Sequence, residues 1–190
     1  FIMAYYFLLQ NPKYIGNRLM AASTISISSY VGSIFIYDLV ATELAIQVFY
    51  RIALVCIMLG SIFMYFTMQV MVHSSSWLRK KWRTWPLIAF VIGYGVYISL
   101  IDFITINNLE VVDTQIDLIP LAIVSLWVII TIFTTIVDLY THGIKKVSGD
   151  TKKHMLLFFY GLVINFGAVS LTVASNLVEN NKTGTILDVL

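Results

Sequence analysis

The sequence has little charge and almost no cysteine. Only 12% of its 190 residues are charged, whereas 59% are hydrophobic. A soluble domain carries roughly 25% charged residues, so this chain has about half the charge that keeps such a domain in water. Its single cysteine, Cys56, lies inside an apolar run, which excludes a disulfide framework and a multi-cysteine metal site within the chain. The composition indicates a membrane protein.

Sequence motifs for catalysis and for cofactor binding are missing as well. There is no glycine-rich phosphate loop, no His-Glu-x-x-His motif and no convincing catalytic triad. The three histidines, His73, His142 and His154, are scattered along the chain, which argues against a metal site. We therefore predict no enzyme activity for this segment, no cofactor and no metal. Nucleic-acid binding is not predicted either, because membrane topology and anionic lipid account for the basic segments.

Long apolar runs fill the sequence instead. A crossing helix needs ~20 residues, whereas the strands of a membrane β-barrel alternate over ~10 residues. The turns are short, which predicts antiparallel neighbours. We predict one domain over residues 1–190, an all-α antiparallel bundle of six to seven transmembrane helices with the first and last truncated. The predicted helices are about 1–9 (partial), 19–38, 44–72, 86–106, 118–141, 155–178 and 186–190 (partial).

Three boundaries carry specific expectations. Pro86 is predicted to open the fourth helix, because a proline in the first turn loses no helical hydrogen bond. Residues 107–117 are predicted to form a polar acidic loop. Both chain ends are apolar runs too short to span a membrane. We therefore expect the chain to be a fragment, or the ordered part, of a longer protein.

The basic, Trp-rich residues 77–86 fix the predicted orientation. Lys and Arg favour the cytoplasmic side of a membrane, and Trp favours the boundary between headgroups and hydrocarbon. Basic loops alternate with acidic turns, and ten of the twelve basic residues fall in the basic loops. We predict a multi-pass plasma-membrane protein with these loops in the cytoplasm and residue 1 outside. The predicted topology anchors are Trp77, Arg79, Lys80, Lys81, Trp82, Arg83, Trp85, Lys145, Lys146, Lys152 and Lys153.

One short motif agrees with that orientation. Asn181-Lys182-Thr183 matches a glycosylation sequon and lies in a turn that is predicted to be outside. Asn181 is therefore the candidate glycosylation site. Three-residue sequons are common by chance, so the topology rests mainly on the charges.

Several short motifs together are similar to those of a known family. These are Asn11-Pro12-Lys13, then Asn17-Arg18-Leu19, a short acidic turn before a long third helix, and the basic linker at residues 145–153. They resemble the N-terminal seven-transmembrane-helix sensor region of prokaryotic histidine kinases and related signalling proteins, over nearly the whole chain. The resemblance implies that the seventh helix leads to a cytoplasmic PAS, kinase or cyclase module. No phosphoacceptor-histidine or ATP-binding glycine motif occurs in these residues.

Polar residues inside the helices are the candidates for a ligand site, because intramembrane ionisable groups mark functional sites by default. Asp102 continues a helical stripe with Gly95 and Ser99, although hydration at the outer interface would also explain it. Arg51 can snorkel outward. The candidate ligand-binding residues are Arg51, Asp102 and Asn165.

Three further interpretations concern ion pairs and helix ends. Arg51 is expected to form an outer-leaflet ion pair with Asp38, Glu43 or Asp102. Asp138 is expected to be solvated or to form a cytoplasmic salt bridge, next to His142. His73 and His142 are expected to stabilise the negative ends of their helices.

Two predicted helices carry stripes of small or polar residues. Such residues let membrane helices approach closely and hydrogen-bond across the contact. Bundle packing explains both stripes, and the alternative for the sixth helix is a ligand cavity open to the outside and lined by Asn165. The stripes are Ala22, Ser26, Ser29 and Ser33 in the second helix, and Gly161, Asn165, Ala168, Thr172 and Ser175 in the sixth.

Three functions from different classes remain. The first is a sensory input module that relays an external or intramembrane signal to a cytoplasmic output domain through its last helix. The second is a structural or accessory subunit of a larger membrane complex. The third, a transporter or channel, is weaker, because no internal repeat and no helix broken in mid-membrane is visible. The predicted partners are the lipid bilayer, other membrane subunits or a second copy of the chain, and an unidentified small-molecule ligand.

Overall fold

A computed structural model describes residues 2–40, 42–108, 113–150, 152–153, 155–164 and 167. Most of these residues are helical, which confirms the predicted helical character of the chain. A π-helical turn at Leu139–Gly143 and a 3-10 turn at Ile144–Lys146 extend the fifth helix. The helices are α1 Ile2–Gln10, α2 Ile15–Val40, α3 Glu43–His73, α4 Lys81–Leu100, α5 Leu118–Asp138 and α6 Met155–Ile164.

Four of the helical segments in the described part of the chain are long and apolar enough to cross a membrane. At most 39% of the apolar window in any of these segments is buried inside the chain. Much of their apolar surface is therefore open to contact with lipid or with another protein. This combination indicates a membrane location. The four segments are Ile15–Ile36, Glu43–His73, Lys81–Leu100 and Leu118–Lys146.

Helix α3 lies at the centre of the packing. It contacts α2, α4 and α5, and the main core cluster includes side chains from α3, α4 and α5. The buried residues on each helix lie three, four or eight positions apart, which is the spacing of one helical face. They are Ile46, Leu54, Met58, Ile62 and Phe66 on α3, Val91, Tyr94 and Ile98 on α4, and Val124, Val128 and Ile132 on α5.

The contact between α2 and α3 is close at Gly60. The Ser23 hydroxyl donates a buried 2.8 Å hydrogen bond to the Gly60 carbonyl. A Cβ atom added at Gly60 would lie 2.9 Å from Cγ1 of Ile27 and 3.6 Å from Cβ of Ser26. The absence of a side chain at this position lets the two helices approach.

The predicted packing stripes fit the structure unevenly. On α2, Ser33 is buried and Ala22 and Ser29 are half-buried. On α6, Gly161 is exposed, and an added Cβ would have no atom of another described element within 4 Å. Among the described residues, the side chain that α6 buries is Leu162, which lies ~100° further round the helix. The packing role of Gly161 stays a prediction.

A β-hairpin replaces the predicted end of the fourth helix and the predicted loop. Helix α4 ends at Leu100, not Ile106. Strand β1, Ile104–Asn108, pairs antiparallel with β2, Asp113–Ile116. The segment Ile-Thr-Ile is rich in β-branched side chains, which favour strands over helices. Both predictions are corrected for this reason.

The fourth helix also begins earlier than predicted. It starts at Lys81 and contains Pro86 in its second turn. Lys81 and Arg83 therefore belong to the helix rather than to the preceding loop. Cations at the positive end of a helix dipole are unfavourable, so these two residues are not placed there to stabilise the helix.

We expect Gly60→Leu to destabilise the protein by about 1–3 kcal/mol, because the added side chain overpacks the contact with Ile27. The measurement is the unfolding free energy in mixed detergent micelles. Gly93→Leu is the matched control, since Gly93 is also helical but no atom of another described element lies within 4 Å of an added Cβ. Equal effects of the two substitutions would contradict the close α2–α3 approach.

Candidate functional site

The first polar cluster lies at the hairpin end of the bundle, where α3 meets the last turn of α4. Arg51 Nε donates to the Ile98 carbonyl at 2.9 Å, and Nη2 donates to the Ile101 carbonyl at 3.0 Å. The last carbonyls of a helix have no partner within that helix and carry partial negative charge. Arg51 thus caps α4 from a neighbouring helix. Its guanidinium also lies 5.6 Å from the centroid of the Phe103 ring.

Asp102 is the acidic partner that the structure gives to Arg51. The distance from Arg51 Nη2 to Asp102 Oδ1 is 3.3 Å. The Asp102 side chain is 96% exposed, whereas that of Arg51 is 20% exposed. An ion pair with so exposed a carboxylate is strongly screened by solvent. The carbonyl cap, more than this pair, holds Arg51 in position.

A shallow groove of about 230 Å³ runs from Arg51 between α3 and α4. Ser99 lines it, but the Ser99 hydroxyl bonds to the Gly95 carbonyl of its own helix at 2.7 Å. Asp102 follows the end of α4, so the predicted helical stripe does not extend to it. The residues that line the groove are Arg51, Ile52, Val55, Cys56, Ile98 and Ser99.

The second polar cluster lies at the opposite end of α3, which we call the basic end: His73, the loop of residues 74–80 and the turns at Leu139–Lys146. Gln69 is only 2% exposed, and its amide donates to Oδ2 of Asp138 at 2.5 Å. The other carboxylate oxygen lies 3.7 Å from Nδ1 of His142. This carboxylate therefore connects α3 to the end of α5.

The two histidines at the basic end are neighbours. The rings of His73 and His142 have centroids 5.4 Å apart, so the interpretation of these two residues as scattered is corrected. Their closeness arises because the ends of α3 and α5 meet, which sequence distance does not reveal. Among the residues that the structure describes, no group of three or more His, Cys, Asp or Glu side chains could hold a metal ion.

The spacing of the two clusters matches a bilayer. Gln69 follows Arg51 by 18 positions, which corresponds to ~27 Å along a helix. The hydrocarbon core of a membrane is ~30 Å thick. Both clusters can therefore lie at the boundaries of the hydrocarbon while the apolar part of α3 crosses it.

Three tryptophans have different environments: Trp77 in the basic end, and Trp82 and Trp85 in the first two turns of α4. Trp77 is 9% exposed, whereas Trp82 and Trp85 are 71% and 59% exposed. The Trp77 ring lies 5.8 Å from that of Tyr65 and 6.2 Å from that of Phe66. The Trp77 ring therefore belongs to the core, and its role as an interfacial anchor stays a prediction.

The remaining predicted anchors are charged residues near the surface. Arg83 is half-buried, and its guanidinium lies 4.9 Å from the centroid of the Trp82 ring. Lys153 pairs with Asp150 at 3.2 Å, with both side chains highly exposed. The other basic residues among the predicted anchors are all exposed: Arg79, Lys80, Lys81, Lys145, Lys146 and Lys152.

Some of the predicted residues lie outside the part of the chain that the structure describes. Among them are the candidate ligand residue Asn165 and the glycosylation site Asn181. The stripe residues Ala168, Thr172 and Ser175 belong to the same group.

Gln69 is the cluster residue that the sequence analysis missed. A usable signal existed, because Gln69 is the one amide side chain between Arg51 and His73 in this apolar helix. Its pairing with Asp138 depends on how α3 and α5 are rotated against each other. The amino-acid pattern of either helix alone does not contain that rotation.

Comparison of the chain with protein-family models, with curated proteins and with solved structures gives no match. The fold and the two clusters define a helical protein whose described residues include four segments suited to crossing a membrane. Its function is therefore argued from its own residues.

We expect Asp138→Ala to lower the unfolding free energy by about 1–3 kcal/mol, because it leaves the buried Gln69 amide without its acceptor. Adding Gln69→Leu should recover part of this loss, so the two effects should not be additive. Asp150→Ala is the control, since its carboxylate pairs only at the exposed surface. Strictly additive effects in the double variant would argue against the Gln69–Asp138 bond.

We expect Trp77→Ala to cost about 3–5 kcal/mol, as for other large aromatic side chains removed from a core. Trp85→Ala should change the unfolding free energy by much less, because Trp85 is 59% exposed. Chemical denaturation in detergent micelles measures both variants. Similar losses at the two positions would contradict the core position of Trp77.

Proposed function

We propose that this chain is a membrane sensory or input module, which receives an external or intramembrane signal and relays it to a cytoplasmic output domain. In this proposal α1, α6 and the following residues complete a bundle of six to seven crossings in the plasma membrane. The basic loops face the cytoplasm, as the distribution of Lys and Arg favours. The last helix leads to the output domain.

One observation carries the proposal: α3 is tied by polar contacts to a different helix at each end. Arg51 holds the end of α4, and Gln69 holds the end of α5. A helix is stiff along its axis, so a displacement of α3 at the hairpin end also changes its contacts at the basic end. A ligand drives such a shift only if it binds the two arrangements with different affinity.

The geometry of α5 supports a response at the basic end. After Asp138 the helix changes to a π-helical turn and then to a 3-10 turn. Such irregular turns are frequent at functional sites and hinges. The Gln69–Asp138 bond lies at the junction where the regular helix ends, so a movement of α3 acts directly on this turn.

The accessory-subunit alternative is favoured by a separate observation. Only 22% of the apolar windows of Ile15–Ile36 and Lys81–Leu100 is buried within the chain. The exposed apolar side chains of these two helices can contact lipid or the helices of another subunit; among them are Val31, Phe35, Ile92 and Val96. An accessory role requires no coupling between the two ends of α3.

Distance measurement between spin labels at Lys80 and Lys145 tests the coupling, in a Cys56→Ser background. Both labelled residues are exposed at the basic end. We expect Arg51→Gln to shift the distance distribution by about 1–2 Å, the scale of helix shifts in switching proteins. Lys152→Gln is the control for loss of a positive charge. An unchanged distribution with Arg51→Gln would favour the accessory role.

A second experiment addresses the ligand site in the full-length protein. Arg51→Gln and Asp102→Asn are each expected to alter ligand-dependent output. An unchanged response in both variants would remove these residues from the site.

A further inference from the structure

The groove between α3 and α4 is narrow and opens to the side. Its volume of about 230 Å³ is below the ~300–1,000 Å³ of pockets for drug-sized ligands. The Ile52 side chain on its wall is 42% exposed, so the groove is open where the surrounding hydrocarbon would lie. Its size and lining suit part of one hydrocarbon chain better than a folded, compact ligand.

Arg51 gives one end of this apolar groove a fixed positive charge. Neutral carbonyls accept its Nε and Nη2 hydrogen bonds and leave the charge of the guanidinium in place. The solvent-exposed Asp102 carboxylate neutralises it only weakly. Within the described part of the chain, Nη1 has no hydrogen-bond partner. Arginine presents its donors in a planar fork that suits phosphate oxygens.

We propose that this groove binds an anionic phospholipid of the surrounding bilayer, with one acyl chain between α3 and α4 and the phosphate on Arg51. The charges are complementary, because the lining contains one cation and no acidic side chain. The depth also fits, since Arg51 lies ~27 Å along α3 from the opposite polar cluster, close to the ~30 Å thickness of the hydrocarbon.

This inference names a ligand chemistry for the hairpin-end site and in that respect rests on the proposed function. Lipid occupancy can nevertheless be measured without any signalling output. The failure of lipid binding and the failure of the sensory role are therefore distinguishable. A lipid bound here would contact α3 and the end of α4 together, which are the elements that Arg51 joins.

The single cysteine of the chain provides the probe. Cys56 lines the groove and is half-buried, so a lipid chain in the groove shields its thiol from alkylation. The experiment compares the alkylation rate by the uncharged reagent N-ethylmaleimide in nanodiscs of phosphatidylglycerol and of phosphatidylcholine with the same acyl chains. We expect the rate to be about fivefold lower in phosphatidylglycerol, which corresponds to about 1 kcal/mol for one arginine near anionic lipid.

Variants at Arg51 distinguish specific binding from a general effect of membrane charge. Arg51→Gln should abolish the difference between the two lipids, and Arg51→Lys should retain most of it because the charge is kept. Arg83→Gln, at the opposite end of the bundle, should leave the difference unchanged. Circular dichroism and size-exclusion profiles check that each variant is folded.

Three results would overturn the proposal. The first is an equal alkylation rate in both lipids with the unsubstituted chain. The second is a lipid difference that persists in Arg51→Gln, which would reflect membrane charge alone. The third is protection by dodecyl phosphate in maltoside micelles without protection by phosphatidylglycerol in nanodiscs, which would assign the groove to a free amphiphile.

Discussion

The packing of α3 depends on one constraint, which is that hydrocarbon cannot solvate a charge or an unpaired polar group. The structure meets this constraint at the hairpin end by pairing the Arg51 guanidinium with the Ile98 and Ile101 carbonyls, for which the end of α4 supplies no helical partners. The donors of this one side chain thereby find acceptors, and the unpaired carbonyls of the neighbouring helix find a donor. This explains how a cation is accommodated in a helix that otherwise buries apolar residues against α4 and α5.

The relative directions of the helices follow from which end of α3 meets which end of each neighbouring helix. The start of α3 meets the end of α4, and the end of α3 meets the end of α5, so α3 is antiparallel to α4 and parallel to α5. The Tyr94 hydroxyl, which donates to the Pro120 carbonyl at 3.1 Å, joins α4 to the start of α5 in the same arrangement. Helices α2, α4 and α5 all pack on α3. A small residue on α3, such as Gly60, therefore determines how closely a neighbouring helix approaches it.

Hydropathy predicted the apolar helices well, because an apolar run of ~20 residues has few alternatives. It failed at Ile104–Asn108, since a short run with β-branched residues has nearly the same hydropathy in a strand as in a helix. Pro86 was misplaced because a proline near the start of a helix does not specify which turn it occupies.

The sequence offered three acidic partners for Arg51, and only the packing of α3 on α4 selects Asp102. Gln69 and Asp138 were not paired for the same reason, because helix rotation is a property of the packed chain.

The two polar clusters differ in how easily they can be rearranged. At the basic end the Gln69 amide is 2% exposed and the Asp138 side chain is 24% exposed, so breaking their bond leaves a buried group unsatisfied. At the hairpin end the Asp102 side chain is 96% exposed, and water can replace Arg51 as its partner at little cost. An incoming anion can therefore compete for Arg51 without disrupting the core. In the proposed sensory role, this asymmetry assigns ligand contact to the hairpin end and transmission of its effect to the buried contacts at the other end.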